Sequence, residues 1–162
     1  MPEIICNASA LQYLHQLGCL HLLPALCGRV LVPQAVAEEL AAGKARGIDL
    51  PIPQELDWVV IRRPASAAIL PLVTDLGPGE TEVLALALES SDAVVILDDA
   101  LARRMAETLG IRLTGTLGIL LDAKRAGLIP TVMPLLDRLQ ALRFRLHPAT
   151  RAAILKLAGE QA

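Results

Sequence analysis

Short runs of branched apolar residues alternate along this chain with longer stretches in which apolar side chains recur every three or four positions. Ile4 to Cys6, Arg29 to Val32, Ala93 to Leu97 and Ile111 to Leu113 read as buried strands, because a strand covered on both faces carries a nearly continuous apolar run. Ala8 to Gly18, Pro33 to Ala42, Gly79 to Glu89, Ala100 to Gly110 and Thr116 to Gly127 carry helical spacing instead. Such alternation implies a parallel sheet joined by crossover helices, so the expected fold class is α/β. Gly18, Gly110 and Gly127 close their helices and suit a left-handed C-terminal cap.

Two regions depart from that rhythm. Gly43 to Val73 is irregular and holds Pro51, Pro53, Pro64 and Pro71, with one strand-like stretch at Trp58 to Arg62; it reads as an excursion within the domain, not a linker. After Pro130, Val132 to Leu142 and Pro148 to Gly159 are helical again, with apolar spacing suited to packing on the domain or across a dimer. The 162 residues fit one domain spanning 1–162, with a core over about 1–130 and C-terminal helices over 131–162, large enough to bury roughly two thirds of the unfolded surface.

Composition narrows the partners. A hydrophobic content of 54% and a mean hydropathy of +0.51 predict a covered apolar face, and hence a homodimer or larger assembly. The net charge of −2 gives no overall positive field, so any nucleic-acid contact must be local. Tyr13, Trp58 and Phe144 are the only aromatic residues, which excludes an open platform stacking successive bases. Cys6, Cys19 and Cys27 show no CxxC spacing and fit small core residues in a reducing compartment. The opening MPEIICNASA lacks a basic leader, and no apolar run approaches the ~18 residues of a membrane span. A soluble cytoplasmic protein without membrane contact is expected.

The acids fall at strand ends. AVVILDD is apolar from Ala93 to Leu97 and then presents Asp98 and Asp99, at the edge where open parallel sheets bind ligands. A plainer reading has Asp98 capping the helix Ala100 to Gly110 and Asp99 pairing with Arg103. Glu39, in VPQAVAEEL, follows a second strand, and Glu80, in GPGETEVLALALE, sits in the first turn of an apolar helix; singly, these fit a solvated helix face and a favourable helix start. Converging, they could hold Mg²⁺ or Mn²⁺, which takes oxygen ligands at about 2.0–2.1 Å along with waters and phosphate oxygens. Crowded acids predict at least one carboxyl with a raised pKa through like-charge repulsion.

Other chemistries lack their parts. His15, His21 and His147 show neither HExxH spacing nor a serine or cysteine nucleophile context. Asp98-Asp99-Ala100 is not the DxD of a haloacid-dehalogenase phosphatase, and the GTLG of Gly115 to Gly118 is not a dinucleotide fingerprint. Thr114, Gly115 and Thr116 follow the last strand and open a helix, where they could hold a phosphate; alternatively Thr116 is a plain N-cap.

Together the segments IICNASALQYLHQLG, VLVPQAVAEEL, GPGETEVLALALE, VVILDDALARRMAETLG and LTGTLGILLDAKRAGLIP resemble the PIN-like family, in particular its bacterial and archaeal subgroup of nucleases often encoded beside small antitoxin-like partners. The resemblance implies a three-layer α/β/α fold with a central parallel sheet and extra C-terminal helices. It further implies a Mg²⁺- or Mn²⁺-dependent endoribonuclease acting on RNA, the toxin of a toxin–antitoxin pair, or else a binding module that has lost catalysis. By position it assigns Glu39, Glu80 and Asp99 to the metal site, with Asp98 beside them as a ligand or supporting catalytic acid. Asn7 stands where PIN nucleases typically carry a first-strand aspartate, which removes one charge and predicts weaker metal affinity. Ser9, Thr114, Thr116, Arg103 and Lys124 are the substrate-binding candidates, with Arg104 and Arg125 as further cations near the nucleic-acid backbone.

Overall fold

In the computed structural model, which describes residues 2–65 and 76–160, five strands pair side by side: β1 (Glu3–Cys6), β2 (Val30–Pro33), β3 (Val59–Arg62), β4 (Ala93–Ile96) and β5 (Arg112–Thr114). All pairs are parallel, in the order β3-β2-β1-β4-β5. Their apolar runs make this possible, since every residue of β2 is buried and a parallel strand must be covered on both faces. Around the sheet lie α1 (Ala8–Gln16), α2 (Leu22–Cys27), α3 (Gln34–Ala45), α4 (Pro78–Glu89), α5 (Ala100–Thr108), α6 (Thr116–Arg125), α7 (Met133–Ala141) and α8 (Pro148–Leu157). The result is the expected three-layer α/β/α arrangement with a central parallel sheet. Its core is aliphatic, with Ile5, Leu11, Leu14, Leu84, Ile96 and Leu120 all at 0% exposure.

Helix starts use several devices. Asn7 and Asp99 cap α1 and α5 by accepting from Ala10 N at 3.1 Å and Ala102 N at 2.9 Å. Proline occupies the first turn of α4, where its missing N–H leaves nothing unsatisfied. At α3, Pro33 offers no side-chain cap, and Glu82 of α4 accepts from Ala35 N at 2.9 Å instead. That bond ties α4 to the start of α3.

The structure adds elements that periodicity does not reveal. α2 is six residues of LLPALC, too short and too uniformly apolar to show a helical period. α3 continues to Ala45, because the Leu50 side chain packs against Gly43 and a glycine here makes room for it without ending the helix. The expected strand-like stretch at Trp58 to Arg62 forms the edge strand β3 (Val59–Arg62), preceded by an unforeseen 3₁₀ turn at Pro53–Glu55. Pro71 and Val73 lie outside the described residues. Among the described residues, no helix is long and apolar enough to cross a membrane.

Glu160 is the main polar joint of the C-terminal helices. Glu160 accepts from Val132 N at 2.7 Å, Met133 N at 3.0 Å and Lys124 Nζ at 2.9 Å, joining the end of α8 to the start of α7 and to α6. Burial alone would raise its pKa, but the hydrogen bonds from Lys124, Val132 and Met133 outweigh that and hold it below the usual glutamate value. A depressed folded pKa gives stability that is present above the unfolded value and lost as pH falls through the folded one. Glu160→Ala is therefore expected to cost about 1–2 kcal/mol near neutral pH, as for loss of a helix cap. In urea unfolding, the gap from the parent should shrink as pH drops into the carboxyl range.

Candidate active site

The sheet order reverses between β1 and β4, since β1 carries β2 on one side and β4 on the other. At such a reversal the loops leaving the carboxyl ends diverge and open a crevice. Asn7 follows β1 there, and Leu97, Asp98 and Asp99 follow β4.

Asp98 is fixed from the β5–α6 turn. Its Oδ1 accepts from Thr116 N at 2.8 Å and its Oδ2 from the Thr116 hydroxyl at 2.6 Å, with Thr116 wholly buried. Arg103 Nη1 donates to Leu97 O at 2.7 Å and Thr114 O at 3.3 Å. Gly115 is required by space: a Cβ there would stand 2.8 Å from both Asp98 Oδ1 and Arg103 Nη1. The plainer reading of the aspartates is thus corrected. Asp99 is the α5 cap, whereas Asp98 binds Thr116 across the sheet, because Thr116 offers it two donors at once. Thr116 in turn is the first residue of α6, not its cap.

Glu80 lies in the first turn of α4, its Oε2 2.9 Å from where a Gly77 Cβ would be, and no hydrogen bond fixes its carboxylate among the described residues. Glu39 reaches from α3 to α4, with Oε1 2.9 Å from a Cβ built on Gly79.

Glu80, Asp98 and Asp99 line one cleft of about 310 Å³ together with Ser9 and Tyr13 of α1. The α7–α8 turn supplies the rest through Arg143, Phe144 and Arg145. Thr114 and Arg103 line a neighbouring cavity of about 440 Å³ that shares Asp98, Phe144 and Arg145 with the first. Asn7 and Glu39 line neither. Asn7 is 1% exposed, its Oδ1 engaged by α1, and its Nδ2 is the one buried side-chain polar atom without a partner among the described residues. Lys124, expected beside substrate, pairs with Glu160 instead. His15 pairs with Asp49, and His147 accepts from Ala149 N at the start of α8.

Arg143, Phe144, Arg145 and Tyr13 escape the sequence reading. The one available signal is compositional: Tyr13 and Phe144 are two of only three aromatic residues, and their rings meet edge-to-face at 5.0 Å.

Two acids have raised pKa values. For Asp98, burial raises it, and the Thr116 hydrogen bonds and the Arg103 charge oppose only part of that. For Glu39, burial again leads, followed by repulsion from Glu80. Desolvation, not the expected like-charge repulsion, leads in both; like charge adds to it at Glu39 alone.

The donor set suits a hard divalent cation, since Glu80, Asp98 and Asp99 present only carboxylate oxygens to the cleft. Among the described residues no three His, Cys, Asp or Glu stand close enough to form one ligand cluster. The fit is therefore to an ion that takes one or two carboxylates directly and completes its shell with water and phosphate oxygens.

An all-parallel α/β/α domain with carboxylates at its switch point defines the class of open-sheet domain that binds or processes a ligand at this edge. More specifically, a family model described as DUF3368, a PIN domain, matches residues 3–160, and the chain belongs to this PIN domain family. That places it among nuclease-type domains, which generally depend on divalent metal and act on nucleic acid. No curated protein and no solved structure matches the chain significantly.

The raised pKa of Asp98 has a sign for stability. Between the ordinary aspartate value and its own, the folded chain holds the proton more tightly than the unfolded chain, so stability falls as pH rises through that window. Asp98→Asn removes the effect while keeping a side chain able to pair with Thr116. The variant is expected to melt a few degrees above the parent near neutral pH (about 2–4 °C for 1 kcal/mol at this size), and the difference should close below about pH 4, where Asp98 is protonated in both states. A melt series across pH checks it.

Proposed function

We propose that this chain is a metal-dependent endoribonuclease of the PIN type. The observation that carries the reading is the placing of Glu80, Asp98 and Asp99 on one cleft at the reversal point of a parallel sheet in a PIN domain. Mg²⁺ or Mn²⁺, when bound, supplies the positive charge against which a phosphodiester and its attacking water are oriented. Glu80, with an unengaged carboxylate, and Asp99 are the direct ligands. Asp98, immobilised by Thr116, keeps fixed negative charge beside them. Glu39 stands near enough to Glu80 for that charge to add to the burial that raises its own pKa, and Asn7 sets the start of α1, from which Ser9 faces the substrate. Tyr13 and Phe144 wall the cleft against bulk water.

A second reading, a PIN-like module that binds nucleic acid or protein without cleaving it, is favoured by the neutral Asn7 and by the lack of three clustered ligands among the described residues. Incubating the chain with single-stranded and structured RNA in Mg²⁺, Mn²⁺ or chelator separates the two. The nuclease reading expects cation-dependent cleavage that falls at least ~100-fold in Glu80→Gln and Asp99→Asn, the scale on which single catalytic groups act. RNA that is bound but left intact in every cation supports the module. Cleavage that survives both chelator and both substitutions rejects the acidic site.

The resemblance to toxin-like relatives supports a small antitoxin-like protein that covers this cleft, and the high mean hydropathy supports a homodimer. Light scattering of the chain alone tests the dimer, a monomer mass at micromolar concentration rejecting it. Loss of RNA cleavage on adding the product of a flanking reading frame tests the partner.

A further inference from the structure

Six helices end in the same two-bond turn, and one of them breaks its rule. In α1, Gly18 N donates to His15 O and Cys19 N to Leu14 O; the same pair of bonds recurs at Gly47, Gly110, Gly127 and Gly159, which end α3, α5, α6 and α8. All five glycines have positive φ, between 71° and 89°, as this motif favours. At the end of α7 the bonds are Arg143 N to Gln140 O and Phe144 N to Leu139 O. There the left-handed residue is Arg143, at φ 69°, the one non-glycine residue with positive φ among the described residues. Nothing in the turn asks for arginine, since glycine ends the other five helices. A side chain held in a disfavoured conformation points to a use for that side chain.

The use is indicated by where it sits. Arg143 and Arg145 line the cleft of Glu80, Asp98 and Asp99, yet no ion pair or side-chain hydrogen bond engages either guanidinium among the described residues. Phe144 between them is anchored edge-to-face on Tyr13 at 5.0 Å, and Leu142 and Leu146 on either side pack against the core, so the segment is held at its middle and at both ends. Arg145 also lines the adjoining cavity and thus stands between two spaces of about 310 and 440 Å³, each sized for a nucleotide and neither for a duplex. Two unspent cations beside acids suit a ligand that must carry negative charge past those acids.

We propose that Arg143 and Arg145 grip consecutive backbone phosphates of single-stranded RNA, with Arg145 on the phosphate between the two cavities and Arg143 on its neighbour. Guanidinium matches phosphate geometry with paired donors. The grip compensates locally for a chain whose net charge is −2. It rests on the nuclease reading above.

Fluorescence anisotropy of a 5′-labelled single-stranded oligoribonucleotide, in chelator and over about 50–200 mM salt, tests it with the full chain, Arg143→Gly and Arg145→Gln. Arg29→Gln, exposed just before β2 at the opposite edge of the sheet, is the control. Each cleft variant is expected to bind about fivefold more weakly at the lowest salt and to lower the slope of log K against log salt by about 0.7, the value for one phosphate on a single strand. Arg143→Gly should also raise the melting temperature, because glycine suits the turn; a merely structural arginine would move neither slope. If the parent binds and cleaves while both variants keep its affinity and slope, the grip is overturned and the nuclease reading stands. If binding depends on the arginines but no cation brings cleavage, the grip stands and the nuclease reading falls. A parent that binds no RNA at any salt overturns both.

Discussion

The two hydrogen bonds between Asp98 and Thr116 hold the cleft in shape. They join the end of β4 to the start of α6, segments 18 residues apart, across the β4–β5 pair. Arg103 reinforces the joint by bonding the carbonyls of Leu97 and Thr114, one from each side. Gly115 lets the two chains approach this closely. With Asp98 turned toward Thr116, the next residue is free to cap α5, so the adjacent aspartates face different partners. The acid pair thus divides into one residue that fixes the cleft wall and one that keeps an outward oxygen.

The parallel α/β plan is legible in the sequence because burial on both faces writes itself as short apolar runs, and helices as a second, longer period. The strand ends are legible for the same reason, and with them the positions of Asn7, Asp98 and Asp99. Which aspartate caps α5 is not legible, since it depends on Thr116, a partner no local pattern connects to Asp98. The fate of Lys124 hangs similarly on Glu160, 36 residues later. α2 is hidden because six apolar residues show no period. Arg143 and Arg145 are hidden because their relevance comes only from the fold bringing the α7–α8 turn over the acids.

Electrostatically the cleft is a balance of unfinished interactions. Burial works against ionised Asp98 and Glu39, and among the described residues Glu80 has no hydrogen-bond partner and the guanidinium groups of Arg143 and Arg145 beside it no ion pair. Desolvation makes the charge on Asp98 and Glu39 costly, whereas Arg143 and Arg145 are exposed and carry theirs at little cost. On the nuclease reading, both signs stay available at one place to a cation and to phosphates.

Asn7 fits that balance. It follows Cys6, whose thiol pKa is raised by burial first and then by the charge of Asp98, so a charge at the end of β4 is felt at the end of β1. An aspartate at position 7 would cap α1 equally well, but would put a second carboxylate into a position 1% exposed and within the field of Asp98. Asparagine keeps the cap and avoids the charge, at the cost of an unpartnered buried Nδ2, a penalty of about 1–3 kcal/mol. Burying an uncompensated carboxylate costs several kcal/mol. The neutral amide is therefore the less costly occupant of this buried position.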